Sequence, residues 1–313
     1  MPGNATDGAL AIDCRTCGAG IVVPPDLRTA ECPYCGSPAV VARPPAPDRP
    51  APAFVLGFVV DRERAVRIAQ RWLRTRGAFA PSALKRAAPT QVRGVYVPAY
   101  LYGAAVCSDF AAEIGEDYTE TETYTTTDAQ GRTVRRTRTV TKTEWRPLAG
   151  RHERWLADVI VTASRGVTNA ELEEVEPFDL RALRRYTPAA LAGWIAEEPS
   201  RTREECRRLA HEECLAAIGG ELAAFLPGDH HRELSFQATV ADEIADLVLL
   251  PLWIFAVRYA PGAPPVRLLI NGQTGEAAGR APRSPLKIAG AAGIALVLAG
   301  LLALLVLLAV SGR

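Results

Sequence analysis

Residues Ile288 to Val310 are 23 consecutive positions drawn only from Ala, Gly, Ile, Leu and Val, and no other feature constrains the chain as much. As a helix rising ~1.5 Å per residue the run would extend roughly 34 Å, against the ~30 Å of a bilayer's hydrocarbon core. It predicts a transmembrane helix over 288–310, because the apolar run of a buried globular helix would rarely exceed ~14 residues. Met1 to Leu10 offer neither a basic stretch nor an apolar one, so no signal peptide is expected and the chain reads as single-pass and tail-anchored. Arg280, Arg283 and Lys287 precede the run and only Arg313 follows it, which places the large N-terminal domain on the cytoplasmic side. Ala295, Ala299 and Ala303 recur every four residues beside Gly300, a spacing that would let a second helix approach closely, in a homo- or hetero-oligomer formed through the membrane.

The seven cysteines divide into two kinds. Cys14, Cys17, Cys32 and Cys35 form two C-x2-C knuckles, CRTCG and CPYCG, each followed by a permissive glycine. Four thiolates at ~2.3 Å would close a tetrahedral shell with no open position, so the spacing predicts structural Zn2+ rather than a catalytic metal. A cytoplasmic site argues against disulfides, and two matched pairs argue against a thioredoxin-like dithiol. Cys107, Cys206 and Cys214 read as buried small hydrophobes. Cys206, Ala210, Cys214 and Ala217 would share one stripe of a helix ending at Gly219 and Gly220. His211, in HEEC, lacks the second histidine of an H-E-x-x-H site and reads as solvated or packed. His152, His230 and His231 have no spacing partner.

Charge then narrows the function classes. The chain has 36 basic and 35 acidic side chains, and residues 1–50 hold four arginines against five acids, with Tyr34 as the one aromatic. A nucleic-acid-binding ribbon needs a basic patch with stacking rings, so nucleic acid is an unlikely partner and protein partners are expected. Catalytic motifs are absent: there is no G-x-S-x-G, P-loop, G-x-G-x-x-G or H-E-x-x-H, and Glu173–Glu174 and Glu197–Glu198 read as solvated helix faces. The chain is therefore expected to be non-enzymatic, with no catalytic or cofactor-binding residues besides the four zinc ligands.

Arg43 to Ala53 carry five prolines in eleven residues, a stiff spacer. Beyond it, Phe54–Val60 reads as a strand, and Asp61 as the cap of a helix with Ala65, Ile68, Ala69 and Trp72 on one face. VPAYLY (97–102) is echoed by LPLWIF (250–255), each preceded by an amphipathic helix and followed by a return strand, Trp155–Ala163 and Val266–Ile270. Asn271-Gly272 is read as plain turn chemistry. Between Tyr118 and Trp145 a Thr-rich hairpin turns at Asp128–Gly131, placing Glu122 opposite Arg138 and Tyr124 opposite Arg136. Both its faces are polar, so it should project into solvent, either as a plain β-arm or as a docking arm for a partner. The expected fold class is α+β: an N-terminal four-cysteine zinc ribbon (10–42), a Pro-rich linker (43–53), a duplicated helix-plus-β-hairpin core domain (54–280) with a long β-arm (117–145), and one C-terminal transmembrane helix (288–310).

The double knuckle, then GVYVPAYLY (94–102), VTASRG (161–166), PFDL (177–180), YTPAALAGWIAEE (186–198), LLPLWIF (249–255), INGQTGE (270–276) and PRSPLK (282–287), in that order, resemble the bacterial TFIIB-type zinc-ribbon proteins with a C-terminal membrane anchor. The resemblance implies a component of the bacterial cell membrane found beside phage-shock-protein-A-like and SPFH-domain proteins in envelope-stress assemblies. It implies the four cysteines as ligands and offers no catalytic residue. The expected function is that of a membrane-anchored cytoplasmic scaffold or adaptor that recruits protein partners to the lipid bilayer. The alternative is a nucleic-acid-binding ribbon tethered there.

Overall fold

A computed structural model of the chain describes residues 10–13, 20–24, 27–31, 38–40, 50–77, 79–89, 91–127 and 131–311. In chain order the elements are β1 (Leu10–Asp13), β2 (Gly20–Val23), β3 (Thr29–Glu31), β4 (Pro38–Val40), β5 (Phe54–Val55), α1 (Arg62–Arg74), α2 (Ser82–Arg86), β6 (Gln91–Thr127), β7 (Thr133–Thr162) and α3 (Asn169–Glu173). They continue with β8 (Arg184–Arg185), β9 (Ile195–Ala196), α4 (Arg203–Phe225), β10 (His230–Val257), β11 (Val266–Asn271), β12 (Ala277–Gly279) and α5 (Pro285–Ser311). One mixed eight-stranded sheet runs β12-β11-β10-β5-β8, with β6 joined to β10 and carrying β7 and β9. The β10–β5 and β6–β9 pairs are parallel. β1–β2 and β3–β4 are separate antiparallel hairpins.

The residues fall into two compact units: 1–100 with 162–203 and 246–313, and 101–161 with 204–245. In the first, Asp61 starts α1 by accepting a hydrogen bond from Arg64 N at 2.7 Å, which satisfies one of the helix's orphan donors. Ala65, Ala69, Trp72 and Leu73 then face Trp253, Phe255 and Val257 of β10 and Leu268 and Ile270 of β11. Each of the large side chains contributes roughly 1.5–3 kcal/mol by leaving water. The Trp253 indole N–H is not lost in this core, because it donates to Val60 O at 2.8 Å. Phe58 stacks on Trp194 with ring centroids 3.8 Å apart and meets Tyr96 and Trp253 edge-on. The expected strand over 54–60 shortens to Phe54–Val55, because Val59 N and Val60 N turn to Gly272 O instead.

In the second unit α4 buries Cys206, Ala210, Cys214, Ile218 and Leu222, a strict four-residue spacing. Ile218 takes the place expected of Ala217, which is exposed, and the helix runs on through Gly219 and Gly220 to Phe225. Gly219 serves packing here: a Cβ on it would come 3.3 Å from the Phe236 ring. β6, β7 and β10 span 37, 30 and 28 residues, well beyond the ~5–6 of a typical strand. Asp158, Glu233 and Asp242 hold positive φ of 64°, 55° and 51°, a left-handed conformation that interrupts the pleat and re-aims the strand.

The expected class is corrected on three points. The chain is dominated by one mixed sheet with few helices, and VPAYLY and LPLWIF are stretches of two of its strands, β6 and β10. Their likeness follows from burial, since Val97, Ala99, Leu250 and Leu252 are all fully enclosed. Next, among the described residues no group of His, Cys, Asp and Glu could hold a metal ion. The zinc ribbon is replaced by the two separate hairpins, and Cys14, Cys17, Cys32 and Cys35 lie outside the described residues. Finally, among the described residues no helix is long and apolar enough to cross a membrane. α5 forms over Pro285–Ser311. The transmembrane, tail-anchored and cell-membrane expectations are withdrawn. Ile294, Leu296, Val297 and Leu298 of that helix are exposed.

Candidate functional site

The Thr-rich arm of the second unit is built from a charge ladder. Glu122 accepts from Arg138 Nη2 at 3.0 Å and from Lys142 Nζ at 3.1 Å, and Lys142 also donates to Glu120 at 2.6 Å. Arg146 pairs with Glu116, and Thr143 Oγ1 donates to Asp117 at 2.7 Å. At the base Arg232 pairs with Glu113 at 2.6 Å and lies 4.0 Å over the Trp145 ring. Glu120 and Glu122 push the Lys142 ammonium above its usual range, and Lys142 followed by Arg138 holds the Glu122 carboxyl low. Each exposed pair contributes little alone, so what the ladder supplies is register: Glu122 meets Arg138, whose guanidinium also lies 5.7 Å from the Tyr124 ring.

β7 pairs with β6 and, among the described residues, with no other strand. Its outer N–H and C=O groups therefore form an open edge along the arm, ending at Thr162, whose N–H donates to Asn169 Oδ1 at 3.0 Å. Arg135 and Arg136 are exposed on it, and their side chains make no hydrogen bond or ion pair among the described residues. Tyr118, Tyr124 and Val134 stand exposed on the same ribbon. Asp128, Ala129 and Gln130 of the tip lie outside the described residues, and Gly131 beyond them has φ +79°.

A second cluster in the same unit was not legible from spacing. Tyr102 donates to Glu243 Oε2 at 2.8 Å, His211 Nε2 lies 3.0 Å from that oxygen, and Arg207 reaches Glu243 Oε1 at 3.5 Å while pairing with Glu204 at 2.8 Å. Burial, then Glu243, pushes the Tyr102 phenol up, and burial, then Glu213 and Glu243, pushes the Cys214 thiol up to about 11. Burial would raise Glu243 too, but hydrogen bonds from Tyr102 and His211 together hold it low. Phenol and thiol thus rest in their protonated, unreactive forms, and the carboxylate is fully occupied. The cluster fastens α4 to β6 and β10. No local signal marks it, because Tyr102 and Glu243 are 141 residues apart.

The other expected residues are dispersed. His230 faces Asp117 at 3.1 Å, His152 lies beside the Phe225 ring at 6.1 Å, and His231 is exposed. Cys206 and Cys214 are buried and Cys107 half-buried, with Arg151 held above its usual range by Cys107 first of all. Glu197 and Glu198 are not a solvated helix face. Glu197 accepts from Ser164 Oγ at 2.8 Å, and Glu198 is buried against Arg28 at 2.8 Å.

The quoted motifs converge in the first unit. Asn271 of INGQTGE donates through Nδ2 to Val175 O at 3.0 Å and Pro177 O at 3.2 Å, and its Oδ1 accepts from the amides of Gln273 and Thr274. Gln273 exchanges two hydrogen bonds with the backbone of Asp179 in PFDL. Within the clamped segment burial, then the neighbouring Glu173, pushes the Glu176 carboxyl up to about 7. An acid raised in the folded state holds its proton there while the unfolded chain has lost it. Stability is therefore fully retained below pH 4.5 and falls as pH rises from there through about 7. Glu176→Gln should flatten that decline and raise stability at pH 8 by about 1–2 kcal/mol after allowance for solvent screening, read from urea unfolding at pH 5 and pH 8. Parallel pH curves for both proteins would contradict it.

No family model matches the chain, and no solved structure matches it. A relative from Bacillus subtilis (strain 168), described as uncharacterized protein YdjG, is 23% identical over 241 residues, covering 76% of this chain and 66% of its own length. The chain thus spans just under two thirds of that relative.

Proposed function

We propose that this chain is a non-enzymatic scaffold that recruits protein partners through the open edge of β7. The observation that carries the reading is the strand itself, 30 residues long and paired on one side only among the described residues. Such an edge is a template for strand addition. The resting protonation of Tyr102 and Cys214 fits a structural rather than a chemical role for the one cluster of catalytic-type side chains described above. The motif resemblance makes phage-shock-protein-A-like and SPFH-domain proteins the first partners to try.

A photo-crosslinking residue at Thr139 tests this, with one at Arg67, exposed on α1, as the control. Because amides alternate between neighbours along an antiparallel strand, one of Thr139→Pro and Val140→Pro removes an outward donor and the other an inward one. The expected result is a discrete crosslinked protein from Thr139, absent from Arg67 and lost in the outward proline variant while the arm stays folded. Equal crosslinking from both sites, or from neither, would sink the reading.

A further inference from the structure

The inner edge of β7 already displays the strand it accepts. Glu116, Glu120 and Glu122 of β6 occupy Arg146, Lys142 and Arg138. Side chains alternate across a strand, so Arg136, Arg138, Lys142 and Arg146 share one face. Those on that face that are paired are not used up: the side chains of Arg138, Lys142 and Arg146 remain 63%, 41% and 55% exposed. Arg136, and Arg135 on the opposite face, are exposed, and their side chains make no hydrogen bond or ion pair among the described residues. The outer edge therefore presents a backbone ladder beside a row of half-satisfied cations, some 46 Å long over residues 133–146 at ~3.3 Å per residue.

From this we infer that the segment docking on β7 is an extended polypeptide with acidic side chains at alternate positions, running along residues 133–146. The inference rests on the edge-docking reading above and names its partner chemistry. A second copy of this chain matches less well, because β7 against β7 would set cations against cations. Duplex DNA would be repelled by the acids of β6 on the same ribbon.

The test uses the full chain and three labelled dodecapeptides that alternate threonine with glutamate, glutamine or lysine, read by fluorescence anisotropy. The Thr-Glu peptide should bind, at least tenfold more tightly than Thr-Gln, with affinity falling as salt is raised. In the doubly reversed chain, Arg135→Glu with Arg136→Glu, the preference should shift at least tenfold toward Thr-Lys. Circular dichroism of that variant checks that the arm is intact. Equal binding of the Thr-Glu and Thr-Gln peptides, each lost in the outward proline variant, would overturn the acidic partner while leaving edge docking in place. Failure of every peptide would overturn both. Concentration-dependent self-association by sedimentation, or tighter binding to a DNA duplex than to Thr-Glu, would also overturn the proposal.

Discussion

Replacing Arg28 by methionine is expected to cost this chain about 3–5 kcal/mol of folding stability, because it strands a buried carboxylate. Arg28 and Glu198 meet at 2.8 Å with side chains only 6% and 4% exposed. An exposed pair of the same geometry would contribute about 0–1 kcal/mol. Burial reverses the balance: desolvation of both ions is large, their attraction offsets it, and removing one partner leaves the cost without the offset. The pair also stands where residues 27–29 join the core. Arg28 N donates to Ala196 O at 2.8 Å, Ala196 N donates to Thr29 Oγ1 at 2.9 Å, and Leu27 bridges Glu197. Denaturant unfolding of Arg28→Met, Glu198→Leu and the double variant decides the matter. Both singles should fall by several kcal/mol, and the double should lie close to the parent, since two apolar side chains of similar volume suit the same site. Singles that lose less than about 1 kcal/mol would mean that the pair is solvated.

The second large effect is expected at Gly272, where alanine should cost about 3 kcal/mol or more. A Cβ there would lie 2.6 and 2.7 Å from Phe58 ring carbons and 2.9 Å from the Pro251 side chain. Neither side can yield easily. The Gly272 backbone is fixed by three hydrogen bonds, from its own amide to Pro251 O and from Val59 and Val60 to its carbonyl. Phe58 is held between Trp194, Tyr96 and Trp253. Gly220→Ala is the matched control. It lies within α4 with nothing within 4 Å of its Cβ position, so alanine should stabilise by about 0.5–1 kcal/mol through helix propensity. Thermal unfolding of the two variants should move in opposite directions. A neutral Gly272→Ala would show that the aromatic cluster is looser than described.

What could be read from the sequence was what short spacing encodes. Asp61 announces its helix because cap and apolar face lie within a dozen residues, and Val266–Ile270 reads as a strand from its own side chains. The stripe on α4 was legible up to Cys214, and then failed where Gly219 looked like a stop, because the reason for that glycine is Phe236 on another element. Asn271 reads locally as a turn residue, and its burial between Val175 and Pro177 depends on contacts 96 and 94 residues away. The same limit hid Glu198, whose partner is Arg28, and Tyr102, whose partner is Glu243. The apolar run at 288–310 misled for a different reason. Composition measures only hydropathy along a sequence, and among the described residues no helix is long and apolar enough to cross a membrane.

Asn271-Gly272 is also the dipeptide most prone to spontaneous deamidation, which proceeds when the following amide nitrogen attacks the side-chain carbonyl carbon. Here that nitrogen is donating to Pro251 O, and the carboxamide is anchored by four hydrogen bonds in a fully buried site. The native fold thus suppresses the reaction, which needs the turn to open. Isoaspartate accumulating at position 271 in stored protein would record, molecule by molecule, the time this turn has spent open.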